Sequence, residues 1–322
     1  MNVLGIETSC DETGASVVSN GKYILSNAIS SSLQFHKKYG GIIPEIAFRM
    51  QLETITGVVN CAIEDARLTK GNIGLISVTS SPGLLGSLLT GISFAEALSF
   101  SLSVPLVKVN HLYSHIYAGF LEKDIPRFPV VALVVSGGHT SLFYLKSFTS
   151  ITLIGSTHDD ACGEAFDKVA KILGLGYPGG PVIERESKKG NPGRVKFGCS
   201  KTKDELDFSF SGIKTAVLYY LREKSLTRTL NQGLKADICA SFQETVINTL
   251  IEKTLLACKR KKVRNFLVSG GVAANSRLRE KFLLAAAENN LRCFFPAQKL
   301  CTDNAAMVAG FGYHVFKNKP AA

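Results

Sequence analysis

The chain contains the same pattern twice: three short apolar runs joined by polar turns, followed by alternating helical and strand-like segments. The first copy begins at Met1–Glu7 and the second at Pro129–Ser136. Each apolar run has the length and the β-branched content of a buried strand. A three-stranded meander that leads into alternating helices and strands is typical of an α/β layer. The repeat therefore predicts a duplicated α/β fold of two domains, with a ligand cleft between them.

The length of 322 residues is enough for two such domains. We place the first domain at residues 1–129 and the second at residues 130–322. The second domain carries an insertion at about 174–235, where the composition shifts to Gly, Pro, Ser and Lys. We expect a last helix, 303–317, to pack back on the first domain.

The formal net charge of +11 is unevenly distributed along the chain. Between Arg185 and Lys235 there are twelve Lys or Arg against five Asp or Glu, so this basic segment supplies seven of the eleven net charges. A concentrated basic segment predicts a polyanionic partner. The alternative is a solvated surface that keeps the protein soluble.

The eight cysteines are scattered and form no C-x-x-C pair. With no secretory pattern ahead of the first strand, they predict reduced, mostly buried thiols of a cytoplasmic protein. The uncharged run 71–95 is interrupted by proline, glycines and serines, which favours a strand, a loop and a core helix over a membrane span.

Two histidines, His111 and His115, stand four residues apart directly after the apolar run Pro105–Val109. On a helix the two imidazoles would share one face, where they could bind a single metal ion. The position favours a site, because α/β proteins bind ligands at the carboxyl ends of their strands. The alternative is that the pair only fills the core or the surface, which is the commoner use of two histidines at this spacing.

Other strings place small or acidic residues where strands end. Asp11 and Glu12 lie in the first polar turn, Ser136–Gly138 follow the first strand of the second copy, and Ser269–Asn275 opens a helix. Glycines at such turns let a backbone approach a nucleotide closely. Each has an ordinary alternative, because acidic residues are common in hairpin turns and Asp303 is well placed to be a helix N-cap.

Nine strings of the chain resemble, in order, the motifs of the tRNA N6-adenosine threonylcarbamoyltransferase family in its bacterial form. Together they extend from residue 5 to about residue 310. The strings are Gly5–Thr13, Tyr39–Glu45, His111–His115, Val135–Thr140, Gly163–Lys168, Tyr177–Pro181, Asp207–Gly212, Ser269–Asn275 and Cys301–Asn304.

The resemblance implies an actin-like, ASKHA-type fold of two similar domains, in agreement with the duplication. It also implies the reaction of an acyltransferase. Threonylcarbamoyl-AMP would give its threonylcarbamoyl group to N6 of the adenosine 3′ of the anticodon, in tRNAs that read codons beginning with A. The products would be N6-threonylcarbamoyladenosine and AMP.

Carried onto this sequence, the resemblance implies one divalent metal ion per subunit, iron or zinc, bound by His111, His115 and Asp303. Such a ligand set leaves open positions for substrate oxygens, so the ion could act as Lewis acid and template. Asp11 and Glu12 are candidate catalytic residues that would handle the proton of the amine. Substrate contacts are implied, with Glu184 on the ribose side, for Val134, Val135, Ser136, Gly137, Gly138, Asp167, Gly180, Glu184 and Asn275.

The resemblance also implies partners. We expect the basic segment to contact the anticodon arm of tRNA, whose unstacked loop base must be presented to the enzyme. The implied protein partners are the synthase that makes threonylcarbamoyl-AMP, a shorter paralogue of the first domain (TsaB type) and a P-loop ATPase (TsaE type). No membrane partner is expected.

Two positions depart from the family pattern. The family usually carries Arg-x-His where this chain has Arg49, Met50 and Gln51, and a glycine is common at the position of Ser81. We interpret both as sequence drift, because neither is an implied ligand.

Three other functions share some of these features. A metalloprotease would use the histidine pair, but Leu112, Tyr113 and Ser114 between them include no general-base glutamate. A sugar or acetate kinase could share the fold, but kinases hold magnesium with carboxylates. A tRNA-binding scaffold without catalysis would need only the basic segment, and would bind tRNA after both His111 and Asp303 are replaced.

Overall fold

The computed structural model describes residues 1–121, 124–200, 202–223 and 230–318. Residues 201 and 224–229 of the predicted basic segment lie outside the described residues. The chain divides into two compact units. Unit 1 comprises Met1–Ile125, Lys146–Ser150 and Pro296–Ala322, and unit 2 comprises Pro126–Leu145 and Ile151–Phe295.

Unit 1 contains a five-stranded sheet in the order β3-β2-β1-β4-β5. The first three strands form an antiparallel meander, and β4 and β5 run parallel to β1. Both faces of β1 are buried after its first residue, as expected for a strand with helices on both sides. The strands are β1 (Asn2–Glu7), β2 (Glu12–Ser19), β3 (Tyr23–Ser31), β4 (Ile73–Ser81) and β5 (Leu106–Asn110).

Helices cover this sheet. The apolar side chains of α2 recur at helical spacing and pack on β2 and β3, which forms the core of the unit with Leu4, Ile6 and Val17. Pro44 begins α2, as the sequence predicts. The helices of unit 1 are α1 (Leu33–His36), α2 (Pro44–Asp65), α3 (Leu85–Leu102), α4 (His111–Ala118) and α10 (Ala305–Lys317), numbered along the whole chain.

The helix α10 packs directly on β1, β2 and β4. The approach is close at Gly5, where an added Cβ would overlap the carbonyl oxygen of Ala305 and the backbone nitrogen of Ala309. Glycine is therefore required at this position by the helix above it. Through this contact α10 is fixed against the first strand of the chain.

Unit 2 repeats the topology of unit 1. Its sheet has the order β10-β9-β6-β7-β8, with an antiparallel meander of the first three strands and two further strands parallel to β6. Read from its opposite edge, this sheet has the order of the first sheet with each strand number raised by five. The predicted duplicated α/β fold is therefore confirmed. The strands are β6 (Val130–Val135), β7 (Thr140–Leu145), β8 (Ile151–Ser156), β9 (Asn265–Ser269) and β10 (Arg292–Phe294).

The helices of unit 2 bury apolar faces against the sheet and one another, for example through Phe166 and Phe242, whose rings meet edge to face at 4.9 Å. Two of these helices, α6 and α7, lie in the 174–235 segment, for which the sequence predicts no element. The helices are α5 (Cys162–Ile172), α6 (Gly179–Ser187), α7 (Ser211–Glu223), α8 (Gln232–Lys261) and α9 (Ser276–Glu288).

Within the described residues, α3 is long and apolar enough to cross a membrane by length and composition alone. Core helices of soluble proteins pass the same test. Several apolar side chains of α3 are nevertheless exposed, including Leu85, Leu89 and Phe100. All eight cysteines are described and are free thiols, four of them buried.

Candidate functional site

The histidine pair begins α4 at the carboxyl end of β5. Asn110 caps this helix, because its Oδ1 accepts hydrogen bonds from the backbone nitrogens of Leu112 at 2.9 Å and Tyr113 at 3.1 Å. The cap makes His111 the first helical residue, and His115 follows one turn later. Both imidazoles are buried, and their ring centroids lie 4.6 Å apart.

Asp303 meets this pair from the loop before α10. Its Oδ1 lies 3.0 Å from Nε2 of His115 and 3.7 Å from Nε2 of His111. The alternative role for Asp303, an N-cap, is wrong, because Asn304 caps α10 by accepting from the backbone nitrogen of Met307. One ligand atom from each of the three side chains lies within 4.8 Å of the others.

The three side chains fit a divalent metal ion. Two imidazole nitrogens and one carboxylate oxygen are a donor set that suits zinc or iron. Ligand atoms about 2.1 Å from one ion lie about 3.0–3.4 Å from each other, close to the 3.0 and 3.7 Å that separate Oδ1 of Asp303 from Nε2 of the two histidines. The ring of His115 also has a buried Nδ1 without a hydrogen-bond partner among the described residues. Its Nε2 lies 3.0 Å from Oδ1 of Asp303, so Nε2 is the nitrogen on the side of the other candidate ligands.

Behind His111 lies a buried carboxylate that the sequence pattern marks only as the end of a strand. Oε2 of Glu7 is 3.1 Å from Nδ1 of His111. Burial lowers the pKa of His111, but the charges of Glu7 and Asp303 outweigh it and raise that pKa to about 9. For Glu7 itself, burial raises the pKa, and the charge and hydrogen bond of His111 bring it below its usual value.

The two candidate catalytic carboxyls lie where β1 turns into β2. Burial, followed by the charges of Asp303 and Asp11, raises the pKa of Glu12 to about 9. Burial also raises the pKa of Asp11, against the hydrogen bond that it shares with Glu12. Glu12 is therefore protonated at neutral pH and can donate a hydrogen bond. The charge of Asp303 acts on both carboxyls, so the structure couples them electrostatically to the candidate metal ligands.

The buried side-chain amide of Gln51 supports the turn between β1 and β2. Nε2 of Gln51, on the inner face of α2, lies within hydrogen-bond distance of three backbone oxygens, those of Thr8 (3.3 Å), Cys10 (3.0 Å) and Glu12 (2.9 Å). Gln51 belongs to one of the two departures from the family pattern that are interpreted above as drift. That interpretation is wrong for Gln51, because its side chain fixes the backbone that carries Asp11 and Glu12.

In unit 2, a short turn follows β6. Val134 and Val135 are fully buried inside the sheet, paired with β7 and, for Val134, with β9. Gly137 and Gly138 are exposed, and an added Cβ on either would meet no described atom within 4 Å. The turn is closed by the backbone nitrogen of Ser136, which donates to the carbonyl oxygen of His139. Its backbone is therefore open to a ligand, while the two valines anchor it.

The next candidate, Asp167, lies on α5 and holds the start of α6. Its Oδ1 accepts from the backbone nitrogen of Gly179 at 2.7 Å. Burial raises the pKa of Asp167 to about 6, although that hydrogen bond lowers it. Gly180 follows directly, and a Cβ there would meet no described atom within 4 Å. Asp167 is thus a partly buried carboxylate beside an open backbone.

Glu184 lies at a cavity of about 380 Å³, and Asn275 contacts one of the residues that line it. Glu184 lines it and accepts from the backbone nitrogen of Ser276 at 2.9 Å. Asn275 caps α9 and donates from Nδ2 to Oε1 of Gln243 at 2.8 Å, and Gln243 also lines the cavity. Asn275 therefore serves the fold as well as the candidate site. The sequence gives no signal for Gln243, Ser276 and Arg277, because they belong to no distinctive motif.

The structure thus groups the predicted residues into two sets. Unit 1 brings together the three candidate metal ligands with Asp11 and Glu12, and adds Glu7 and Gln51 to them. Unit 2 carries every predicted substrate-binding residue, from Val134 to Asn275.

Comparison with known proteins identifies relatives. The family described as tRNA N6-adenosine threonylcarbamoyltransferase matches residues 23–310. A protein of that name from Symbiobacterium thermophilum is 49% identical over 98% of this chain and 92% of its own. Another from Clostridium kluyveri is 48% identical over 97% of this chain and 92% of its own.

Among solved structures, T. kodakarensis HypF is similar with a TM-score of 0.69 and 14% identity. The match covers 98% of this chain and 48% of HypF. At that identity the likeness shows the fold alone. It confirms the predicted ASKHA-type fold.

Proposed function

The chain belongs to the tRNA N6-adenosine threonylcarbamoyltransferase family and is a transferase, and on that premise we propose the substrates and the residues of its reaction. The donor is threonylcarbamoyl-AMP, and the acceptor is N6 of the adenosine 3′ of the anticodon, in tRNAs that read codons beginning with A. The observation that carries the proposal is the group formed by the buried His111 and His115 and the partly buried Asp303, in a chain that matches the family over most of its length.

In the proposed reaction the amine nitrogen attacks the carbonyl carbon of the mixed anhydride. A bond forms between N6 and that carbon, the bond from carbon to the phosphate oxygen breaks, and AMP leaves with the electron pair. The amine is a poor nucleophile, so orientation and charge stabilisation supply most of the rate. Asp11 is assigned the proton that N6 loses, and the protonated Glu12 donates the hydrogen bond that the two carboxyls share.

Unit 2 would bind the adenylate part of the donor. The exposed backbone of Ser136–Gly138 would donate to phosphate or carbonyl oxygens, as glycine-rich turns do. Asp167 and Gly180 would line the same ligand. Glu184, oriented by Ser276, would accept from the ribose hydroxyls. Asn275 would hold the strand-to-helix turn beside it.

His111, His115 and Asp303 would hold one divalent ion, iron or zinc. When bound, such an ion supplies a Lewis acid and a template for substrate oxygens. The buried position of both imidazoles restricts their rotation, so the ligand geometry is set by the fold before the ion arrives.

The basic segment would contact the anticodon arm of tRNA. The described part of it exposes Arg194, Lys196 and Lys203. The exposed apolar side chains of α3 would be covered by the shorter paralogue of the first domain (TsaB type), a surface that co-purification can test. The synthase of threonylcarbamoyl-AMP and a P-loop ATPase (TsaE type) complete the proposed set of partners. The free thiols favour a cytoplasmic location.

The rival functions are not favoured. Family membership favours neither a scaffold without catalysis nor a metalloprotease, and the helix between the two histidines carries no glutamate. A kinase function also has no support from the relatives, which are named as transferases of another group.

The test is transfer of label from radioactive threonine, through enzymatically made threonylcarbamoyl-AMP, to a tRNA that reads A-starting codons. The purified chain is combined with its paralogue and the ATPase. Label is expected on the anticodon-loop adenosine, and His111→Ala is expected to abolish it. His158→Ala, at an exposed histidine of unit 2, is the matched control and should retain transfer. Absence of label with tRNA still bound would support the scaffold instead.

A further inference from the structure

Glu7 is a buried charge that the proposed reaction does not use. It is the last residue of β1, and its side chain is 1% exposed. A buried carboxylate is costly unless its oxygens accept hydrogen bonds. The backbone nitrogen of Ser9 donates to Oε1 at 2.7 Å, and Oγ1 of Thr79 donates to Oε2 at 2.7 Å. Oε2 also lies 3.1 Å from Nδ1 of His111.

This contact decides which nitrogen of His111 carries the proton. Metal binding requires the neutral form of the His111 imidazole, which has one N–H and one lone pair, and a carboxylate only accepts. With Nδ1 at hydrogen-bond distance from Glu7, the proton belongs on Nδ1. Nε2, which lies 3.7 Å from Oδ1 of Asp303, then keeps its lone pair on the side where the candidate ligands converge.

A second group competes for the same nitrogen. Oγ of Ser9 lies 3.0 Å from Nδ1 of His111 and can either donate or accept. If Ser9 donated to Nδ1, the neutral ring would carry its proton on Nε2 and could not bind an ion there. Because Glu7 cannot donate, its carboxylate favours the other tautomer, and Ser9 then accepts a share of the same proton.

We propose that Glu7 is a positioning residue of the metal centre, whose carboxylate keeps the proton of His111 on Nδ1 and so presents Nε2 to the ion. The inference rests on the proposed metal-dependent function and adds a specific residue to it. A carboxylate behind a ligating imidazole also makes the ring a more basic ligand. Removal of such a partner typically weakens metal binding by about 10- to 100-fold.

The experiment measures metal binding and not turnover. The apo chain is titrated with Co²⁺, whose visible absorption reports its coordination, and with Zn²⁺ by competition. Glu7→Gln keeps the shape of the side chain and removes its charge. It is expected to weaken Co²⁺ binding by about 10- to 100-fold and to change the absorption spectrum. Ser9→Ala removes the competing hydroxyl and should weaken binding less than Glu7→Gln does.

The outcomes distinguish the role of Glu7 from the existence of the metal centre. Wild-type affinity and spectrum in Glu7→Gln would overturn the role of Glu7, and so would a larger decrease in affinity in Ser9→Ala. A wild-type chain that binds neither ion would overturn the metal centre itself, and the role of Glu7 with it.

A second measurement needs no variant of Glu7, which guards against a failure of Glu7→Gln to fold. The zinc-loaded wild-type chain, labelled with ¹⁵N-histidine, reports the tautomer of each ring by NMR, with His111→Gln used for assignment. A protonated Nδ1 and a metal-bound Nε2 are expected for His111. Metal on Nδ1, or a proton on Nε2, would overturn the inference.

Discussion

The carboxyl group of Asp167 carries a folding cost that its hydrogen bond does not remove. Its pKa in the folded chain is about 6, against 3.8 for the ordinary side chain, because burial disfavours the charge. Below about pH 4 the group is protonated in both states and costs nothing. As the pH rises from about 4 to 6, Asp167 ionises in the unfolded state but not in the folded one, so stability falls and the full cost is present above pH 6.

Asp167→Asn should remove this cost, because the amide oxygen can still accept from Gly179 and carries no charge. We expect the free energy of unfolding at pH 7.5 to rise by roughly 1–3 kcal/mol. Stability should then no longer fall between pH 4 and pH 6, while label transfer declines. Thermal melts across this pH range measure the effect, with the exposed Glu252→Gln as control. A fall between pH 4 and pH 6 that persists unchanged in Asp167→Asn would contradict the assignment.

At the scale of single residues, the sequence predicts sites whose residues are close together in the chain and misses contacts between residues that are far apart in it. The spacing of His111 and His115 and their position after a strand are sufficient to suggest a metal site. Glu7 is not predictable in the same way, because a glutamate at a strand end has no pattern that reveals a histidine 104 positions away. The one signal available in the sequence is that Glu7 is a charged residue at the end of an apolar strand.

At the scale of elements, Gln51 joins α2 to the turn between β1 and β2. Gln51→Ala removes an amide donor that lies within hydrogen-bond distance of three backbone carbonyl groups, so we expect the free energy of unfolding to decrease by about 1–3 kcal/mol. We also expect label transfer to fall by about tenfold, because the turn carries Asp11 and Glu12.

Gln51→His, which introduces the residue usual in the family, keeps a donor and should recover part of this decrease. Gln34→Ala, at an exposed position of α1, is the control. Thermal melts and label transfer measure both effects. Unchanged transfer in Gln51→Ala would show that the turn does not depend on this side chain.

The packing of α10 on β1 makes a second prediction at this scale. Gly5→Ala places a methyl group against Ala305 and Ala309, so α10 must shift, at an expected cost of about 1–3 kcal/mol or more. Because Asp303 precedes α10, Co²⁺ affinity should fall as well. Gly57→Ala, in α2 with no described atom near the added Cβ, should instead be neutral or slightly stabilising. Equal melting curves for the two variants would contradict the close approach.

Element types follow well from the sequence where apolar periodicity is strong, as in α2, α8 and the strands. The helices α6 and α7 do not, because glycine, proline and serine obscure the pattern at Gly179–Ser187 and before Ser211–Glu223. The start of the last helix also differs from the prediction by two residues. Asn304 forms the N-cap of this helix, and the sequence alone does not distinguish it from the neighbouring Asp303 as the capping residue.

At the scale of the whole molecule, the basic segment predicts salt-dependent binding of tRNA. Replacing Arg194, Lys196 and Lys203 by alanine should weaken binding and reduce the slope of log Kd against log salt, by about 0.7 for each single-strand phosphate that is no longer neutralised. Filter binding at several salt concentrations measures the slope. The triple replacement of the exposed Lys22, Lys70 and Lys299 removes the same charge elsewhere. Equal slopes for the two triple variants would show that tRNA binding depends on the total charge of the protein and not on the position of these basic residues.

The duplication itself is predictable, because both copies keep their apolar runs in the same order. The membership of unit 1 is harder to derive, since the chain returns to it after residue 295. Spacing can suggest the two histidines, but only family resemblance can supply Asp303, which lies 188 positions beyond His115.

That return has a consequence for synthesis on the ribosome. Glu7, His111 and His115 are translated early. Asp303, the third candidate ligand, is translated after the residues of unit 2. At about 5–20 residues per second, this leaves an interval of roughly 10–40 seconds. During that interval β1 lacks the helix that covers Gly5, and the nascent chain holds two of the three ligands. Binding of the proposed metal ion by all three ligands is therefore expected only after Asp303 has been translated.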